Sequence, residues 1–214
     1  MFITLEGIEG AGKSTVAKLV CGWLAAHGIA ARLTREPGGT PLAERMRQIV
    51  LERGAEPLPA ISETLLMFAA RALHVQQVIV PALKRGEWVV CDRFTDATRA
   101  YQGSGRGVDR SLIEALAQAV HPGLVPHRTL LLDLPVSAGL ARARARTAMP
   151  SAPKTDRFEG ETAAFFEKVR AGYLALASAE PARFCVIDAM QPLDAVEREV
   201  AGILGALHSG GVGS

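Results

Sequence analysis

Phe2-Ile3-Thr4-Leu5-Glu6-Gly7-Ile8-Glu9-Gly10-Ala11-Gly12-Lys13-Ser14-Thr15 is the stretch from which the fold can be read. Residues 2–5 form a short apolar run of strand character. Beyond the glycines, Val16, Leu19, Val20, Trp23 and Leu24 recur at helical spacing, so the order is strand, loop, helix. Gly7 to Ser14 match GxxxxGK[ST] where that motif belongs, between a strand and an amphipathic helix. Glycines let the backbone curl until its N–H groups face one point, and the helix N-terminus adds positive potential there. The result is a phosphate cradle. Gly7, Ile8, Glu9, Gly10, Ala11, Gly12 and Thr15 supply its frame, Lys13 reaches the β and γ phosphates of a nucleotide, and the Ser14 hydroxyl is a ligand for Mg²⁺.

Outward from this loop, strands and helices alternate. Gly28 is placed to end the first helix with a left-handed cap, and residues 30–34 read as a second strand. Thr40 and Pro41 have the character of an N-cap and first helical residue, opening a helix to Leu51. Residues 60–80 read as one long helix, 88–91 as a strand ending at Asp92, 111–120 as a helix and 129–134 as a strand. Ser137 is expected to cap the next helix, and residues 147–156, with Pro150 and Pro153, form a surface loop. A helix over 162–177, a strand over 184–187, a helix over 193–207 and a disordered tail over 209–214 complete the pass. The alternation predicts one α/β domain, residues 1–208, built on a parallel sheet with helices on both faces.

Composition narrows the function. Of 214 residues 49% are hydrophobic and 21% charged, with 24 basic and 22 acidic side chains giving a net charge of +2, so no global field draws nucleic acid or an anionic membrane. Three cysteines form no CxxC pair, which argues against a disulfide framework or a zinc site. The chain has no asparagine and hence no NKxD segment of the kind that reads guanine. No apolar run approaches the ~20 residues of a membrane span, and Met1 leads straight into a strand without a signal-peptide pattern. A cytoplasmic location is expected.

Two strands end in an acid that can hold a metal ion through water, at Asp92 and at Asp133. Asp92 is the better placed, because Arg93 beside it is directed to the same sheet edge, where a cation can hold a second phosphate. Asp133 is expected to be structural.

Arg35-Glu36-Pro37-Gly38-Gly39-Thr40, the pair Asp92-Arg93 and Ala100-Tyr101-Gln102-Gly103 together resemble the bacterial thymidylate kinases, in the same order and over residues 2–188. The resemblance implies a three-layer sandwich of the phosphate-loop NTPase type with a five-stranded parallel sheet, a lid at about 142–158 and a homodimer. It implies transfer of the terminal phosphoryl group of ATP to dTMP with Mg²⁺, and no nucleic-acid or membrane partner. Glu9 would meet the deoxyribose 3′-OH. Glu36 and Arg93, with Lys13, would sit at the transferring group, and Arg47 with Arg93 would hold the dTMP phosphate. Arg71 and Gln102 would read thymine, supported by Thr98. The family usually places an aromatic ring four residues before the arginine; here Met67 stands there with Phe68 next to it, and either is the stacking partner. Tyr101 is either beside the deoxyribose or packed in the core. Gly10 marks the branch of the family whose lid supplies the basic residues: Arg146, with Arg142 or Arg157, would close onto ATP, while Arg144 lies off their face and Lys154 follows in the loop. A kinase for another nucleoside monophosphate, or a phosphate-loop ATPase acting on nucleic acid, shares the cradle but not Arg71, Gln102 and Glu9.

Overall fold

Strand β1 (Phe2–Glu6) is buried at every residue, because it is the middle strand of the sheet. A computed structural model describes residues 1–52, 54, 56–147 and 157–210. In it β1 lies between β3 (Trp88–Asp92) and β4 (Arg128–Asp133), with β2 (Ala31–Arg35) and β5 (Phe184–Asp188) outside, in the order β2-β3-β1-β4-β5. Every pairing is parallel, with Leu5 opposite Asp92 and Leu130, Arg35 opposite Asp92, and Asp133 opposite Asp188. All five carboxyl ends therefore share one edge, where ligands of open parallel sheets bind.

Alternate residues of β1 feed two cores. Ile3 and Leu5 join Val16, Val20 and Leu24 of α1 (Lys13–Ala26) and Val200 and Leu204 of α9 (Leu193–Gly210). Phe2 joins Val89, Cys91 and Phe94 beneath Val75, Ile79 and Ala82 on the other face. Helix α2 (Pro41–Leu51) begins as the sequence requires: Thr40 Oγ1 accepts from Ala43 N at 3.2 Å, with Pro41 in the first turn.

The long helix differs from expectation at its far end. Helix α3 (Ala60–His74) continues through a π-helical turn (Val75–Ile79) into α4 (Val80–Lys84), so Pro81 lies inside the helical run. Val80 N–H reaches back to Val75 O, a wider register than that of an α-helix, immediately before Pro81, which has no N–H to donate. The 25-residue run Ala60–Lys84 is long and apolar enough by length and composition to cross a membrane, which reading uninterrupted apolar runs did not register. The run carries Glu63, Arg71 and His74, all buried against protein groups.

Two further readings are corrected. Helix α7 (Val136–Thr147) already contains Ser137; Ala138 and Gly139 N–H groups bond to Pro135 O, so the chain turns two residues earlier than a Ser137 cap requires. Helix α9 includes Ser209 and Gly210, which had been assigned to the tail, and Ser209 Oγ donates back to Gly205 O at 2.9 Å. Residues 211–214, the rest of that expected tail, and 148–156, most of the expected loop with Lys154, lie outside the described residues. Helix α8 (Ala163–Ala179) starts from Thr162, whose side chain caps Phe165 N.

Residues 95–105 had no assigned element. They form α5 (Thr95–Thr98) and a π-helical turn (Arg99–Gly105) that lies against α8, where a Cβ on Gly172 would come within 2.4 Å of Ser104 Oγ. Burial on several sides removes the polar face that periodicity needs. Helix α6 (Arg110–Val120) follows, with the Asp109 side chain accepting from Ser111 N.

Asp96 anchors this segment to the sheet. Its carboxylate takes Arg183 Nη1 at 2.6 Å and Arg99 Nη1 at 2.8 Å, and Thr129 Oγ1 donates to it at 3.4 Å. Asp96 is 1% exposed, and deleting its carboxylate takes one of two carboxylate partners from each arginine, leaving Arg183 on Glu180 and Arg99 on Glu114. Asp96→Ala is expected to lower stability by about 1.5–3 kcal/mol, measured by urea unfolding; a loss below about 1 kcal/mol would contradict the assignment.

Candidate active site

At the carboxyl edge a cleft of about 750 Å³ opens, lined by Glu9 to Thr15 of the loop and by Glu36, Arg47, Met67, Asp92, Arg93, Tyr101, Gln102, Arg142 and Arg146. A small recess at its base adds Arg71, Phe94 and Thr98. Seven separate chain segments contribute, and only the sheet edge brings them together. Gly7 and Ile8 sit behind the lining and present carbonyls to it.

Lys13 Nζ donates to Gly7 O and Ile8 O, both at 3.1 Å. Burial and the neighbouring Arg93 push its ammonium below the ordinary lysine value. Gly10 has φ +75°, and an added Cβ would stand 2.0 Å from Gly139 O of α7, so no side chain fits at this place in the loop.

Arg93 is the one non-glycine residue at positive φ among the described residues, at +71°. That turn carries its guanidinium back over the loop. Nη2 donates to Glu9 Oε1 at 2.6 Å and to Tyr101 Oη at 3.0 Å, and Nη1 donates to Gly7 O at 3.1 Å. Burial alone would raise the Glu9 carboxyl, but Arg93, Lys13 and Arg146 hold it below the ordinary glutamate value. Tyr101 is 4% exposed and packed in the core. It is packed edge-on to Phe158, Phe165 and Tyr173, and its hydroxyl lies at the Arg93–Glu9 pair in the cleft.

The Glu36 carboxylate lines the cleft, yet both its oxygens are engaged: Oε2 takes Arg71 Nε at 2.7 Å and Oε1 takes His74 Nδ1 at 2.8 Å. Burial opposes ionisation, but Arg71 and His74 overcome it and keep this acid below its ordinary value. Glu36 therefore bridges Arg71 and His74 at the cleft wall. Arg71 Nη2 donates to Phe94 O and Thr98 Oγ1, each at 3.1 Å, and its plane lies over Phe68 at 4.7 Å and Phe94 at 5.2 Å. Such cation–π contacts contribute about 1–2 kcal/mol when desolvated. Arg71 Nη1 is buried and has no hydrogen-bond partner among the described residues, and the same holds for Gln102 Oε1. Met67 lines the cleft and the recess, whereas Phe68 is 2% exposed, lines neither and packs with Val108, Ile113 and Ala117. Phe68 is thus a support for Arg71, because a residue one step from Met67 on a helix points about 100° away.

The acidic and basic candidates separate by their partners. Asp92 Oδ1 is buried without a hydrogen-bond partner among the described residues, in the same cleft as exposed Ser14. A carboxylate oxygen and a hydroxyl are hard donors of the kind Mg²⁺ takes. Asp133, in contrast, is held by Arg170 through two bonds of 2.8 Å, as a structural acid should be. Arg47 donates from Nη1 to Pro37 O at 3.0 Å. Arg142 donates to Ala189 O at 2.9 Å, Arg144 is exposed, and Arg146 lines the cleft. Arg157 is anchored to Val50 O at 3.1 Å and to the Glu63 carboxylate, and it is not among the residues lining the cleft.

Sequence reasoning missed Glu6, Glu63, His74 and Tyr173. For Glu63 and His74 a signal existed: Glu63, Met67, Arg71 and His74 recur at steps of four, four and three along an otherwise apolar helix and so share a face. Glu6 looked like the last residue of a strand. Its Oε1 accepts from Phe94 N at 2.8 Å, and a 2.7 Å hydrogen bond joins its Oε2 to the Tyr173 hydroxyl.

Burial and the charge of Asp96 push the Glu6 carboxyl from 4.5 up to about 8. At neutral pH the folded protein therefore keeps a proton that the unfolded chain has released. Stability is unpenalised below the unfolded value and falls as pH rises toward the folded one, by roughly 1.4 kcal/mol per pH unit. Glu6→Gln keeps both hydrogen bonds without the proton. Thermal unfolding between pH 5 and 8.5 is expected to give a visibly flatter midpoint curve for the variant; parallel curves would refute the shift.

A family model for thymidylate kinase matches residues 5–200. The chain is 54% identical over 204 residues to a thymidylate kinase of Pseudomonas putida (strain GB-1), covering 95% of this chain and 94% of that one. It is 55% identical over 201 residues to one from Chromohalobacter salexigens, covering 94% and 92%. Among solved structures, the crystal structure of thymidylate kinase from Ehrlichia chaffeensis superposes with a TM-score of 0.74 at 34% identity, covering 96% of this chain and 98% of that one. With a phosphate-loop motif at the carboxyl edge of a five-stranded parallel sheet, and with likeness of this extent, the chain belongs to the thymidylate kinase family.

Proposed function

We propose a division of labour among these residues for the reaction of the family, transfer of the terminal phosphoryl group of ATP to dTMP. The loop from Gly7 to Thr15 cradles the ATP phosphates through its backbone, with Lys13 neutralising the β and γ groups. Ser14 and Asp92 are the residues that would hold Mg²⁺, which when bound supplies charge neutralisation on the phosphates. Arg93 and Arg47 hold the dTMP phosphate, Glu9 meets the deoxyribose, with Tyr101 beside it, and Arg146, with Arg142, faces the donor from α7. Residues 1–208 act as one domain, with the basic segment at about 142–158 as its lid.

The observation that carries the substrate assignment is the pair of partnerless buried atoms, Arg71 Nη1 and Gln102 Oε1. One is a donor and the other an acceptor, beside Met67. Thymine offers the matching edge: O4 accepts and N3–H donates. Glu36 holds Arg71, and Thr98 supports it. The dTMP phosphate is already anionic near neutral pH, so its oxygen attacks the γ phosphorus without a strong base, and the arginines position it and balance charge.

ADP release with ATP and Mg²⁺ is expected to be strong with dTMP, weaker with dUMP and near background with UMP, CMP, AMP and GMP. Preference for another monophosphate would overturn the base-reading roles, and turnover stimulated by single-stranded DNA alone would overturn the kinase reading.

A homodimer and a cytoplasmic location belong to the same proposal. Leu42 and Ile49 of α2 and Ile61 and Leu65 of α3 are 47–56% exposed on two helices that pack together. Large apolar side chains clustered at a surface favour a protein partner. Sedimentation is expected to give twice the chain mass of 22.7 kDa, and Leu65→Asp to give the single chain; a monomeric wild-type protein would refute the assembly.

A further inference from the structure

Gln102 is fully buried in the π-helical turn, and its Nε2 donates to Glu63 Oε1 at 2.6 Å. Glu63, equally buried in the first turn of α3, turns its other oxygen to cations: Arg157 Nη2 is paired with Oε2, and Arg106 Nε lies 3.5 Å from it. A carboxylate so placed only accepts. Rotating the Gln102 amide by half a turn would set two oxygens against each other at that distance, in an interior where no water can relieve them. The NH₂ end is therefore fixed on Glu63, and Oε1 is fixed at the cleft. Arg71 is constrained with the opposite polarity, since Nε and Nη2 are used on Glu36, Phe94 O and Thr98, which leaves Nη1 as the donor.

We infer that Glu63 is the positioning residue for pyrimidine discrimination: by locking the Gln102 amide it presents an acceptor that suits the N3–H of a 4-oxo pyrimidine and repels the N3 lone pair of a 4-amino pyrimidine. The inference rests on the base-reading roles of Arg71 and Gln102 given above. It assigns the choice between dTMP and dCMP to a residue that touches neither nucleotide. It also accounts for Arg157, which spends its guanidinium on Glu63 and Val50 O, away from the phosphate loop. Nothing in the lock senses the 5-methyl group, so dTMP and dUMP should be affected alike.

The test is the ratio of kcat/KM values in wild type and Glu63→Gln, measured with dTMP, dUMP and dCMP. Glu63→Gln keeps the volume and an acceptor for Arg157 but can also donate, so the Gln102 amide is released to turn. The ratio of dTMP to dCMP is expected to fall at least tenfold while that of dTMP to dUMP stays within twofold. A folded variant with an unchanged dTMP to dCMP ratio overturns the inference, since a merely structural role would lower all three substrates together. Should the variant fail to fold, the wild-type protein decides by its side-chain amide NMR spectrum. The chain has six glutamines and no asparagine, and the Gln102 pair is assigned by its loss in Gln102→Met. A slowly exchanging, downfield pair supports the lock, and exchange as fast as that of exposed glutamines refutes it. Absence of dTMP turnover in the wild-type protein would instead overturn the functional reading beneath it, so the two failures are distinguishable.

Discussion

The arrangement at the sheet edge depends on one buried carboxyl, that of Glu6. It ends the central strand, at the point where the chain leaves the sheet for the phosphate loop. One oxygen takes Phe94 N–H and the other meets the Tyr173 hydroxyl of α8. The first bond fixes the chain just after Arg93, where the backbone is left-handed at a cost of about 1–2 kcal/mol. The strain is offset by what the turn makes possible: Arg93 folds back onto Gly7 O, Glu9 and Tyr101. The loop, the Arg93 turn and α8 thus share one junction, and it is uncharged near neutral pH because burial favours the protonated acid.

A second constraint runs along α3. One face carries Glu63, Met67, Arg71 and His74, and each polar member is tied to a segment outside α3: Glu63 to Gln102, Arg71 to Glu36 and Phe94 O, His74 to Glu36 and Thr34. Buried ion pairs contribute little net stability, because desolvation consumes most of the attraction. Their consequence here is orientation. The bonds use up every polar atom of Arg71 except Nη1 and every one of Gln102 except Oε1. What remains is a donor and an acceptor with fixed directions. Gly39 shows how closely this is packed, since an added Cβ would approach His74 Cδ2 to 2.3 Å.

Arginines that look alike in the sequence divide by what holds them. Arg183 and Arg99 serve Asp96, Arg170 serves Asp133, and Arg157 and Arg106 serve Glu63. Arg47, Arg93, Arg142 and Arg146 line the cleft. Spacing along a helix cannot make this division, because the carboxylate that claims each arginine comes from a distant part of the chain.

The sequence by itself determined the strand-loop-helix of residues 2–24, the alternation that makes a parallel sheet, the Thr40 cap and the identity of the cradle, because local geometry requires those residue types in that order. The family resemblance also pointed to Arg71, Gln102, Asp92 and Arg93, and all four line the cleft or its recess. Only the tertiary structure decided that Glu36 orients Arg71, that Met67 and not Phe68 lines the cleft, that Arg157 belongs to Glu63 and that the segment after Arg93 is helical. Each of these turns on which buried polar groups meet across strands and helices far apart in the chain. Such meetings are fixed by burial, since a desolvated donor or acceptor must find whatever partner the packing brings to it.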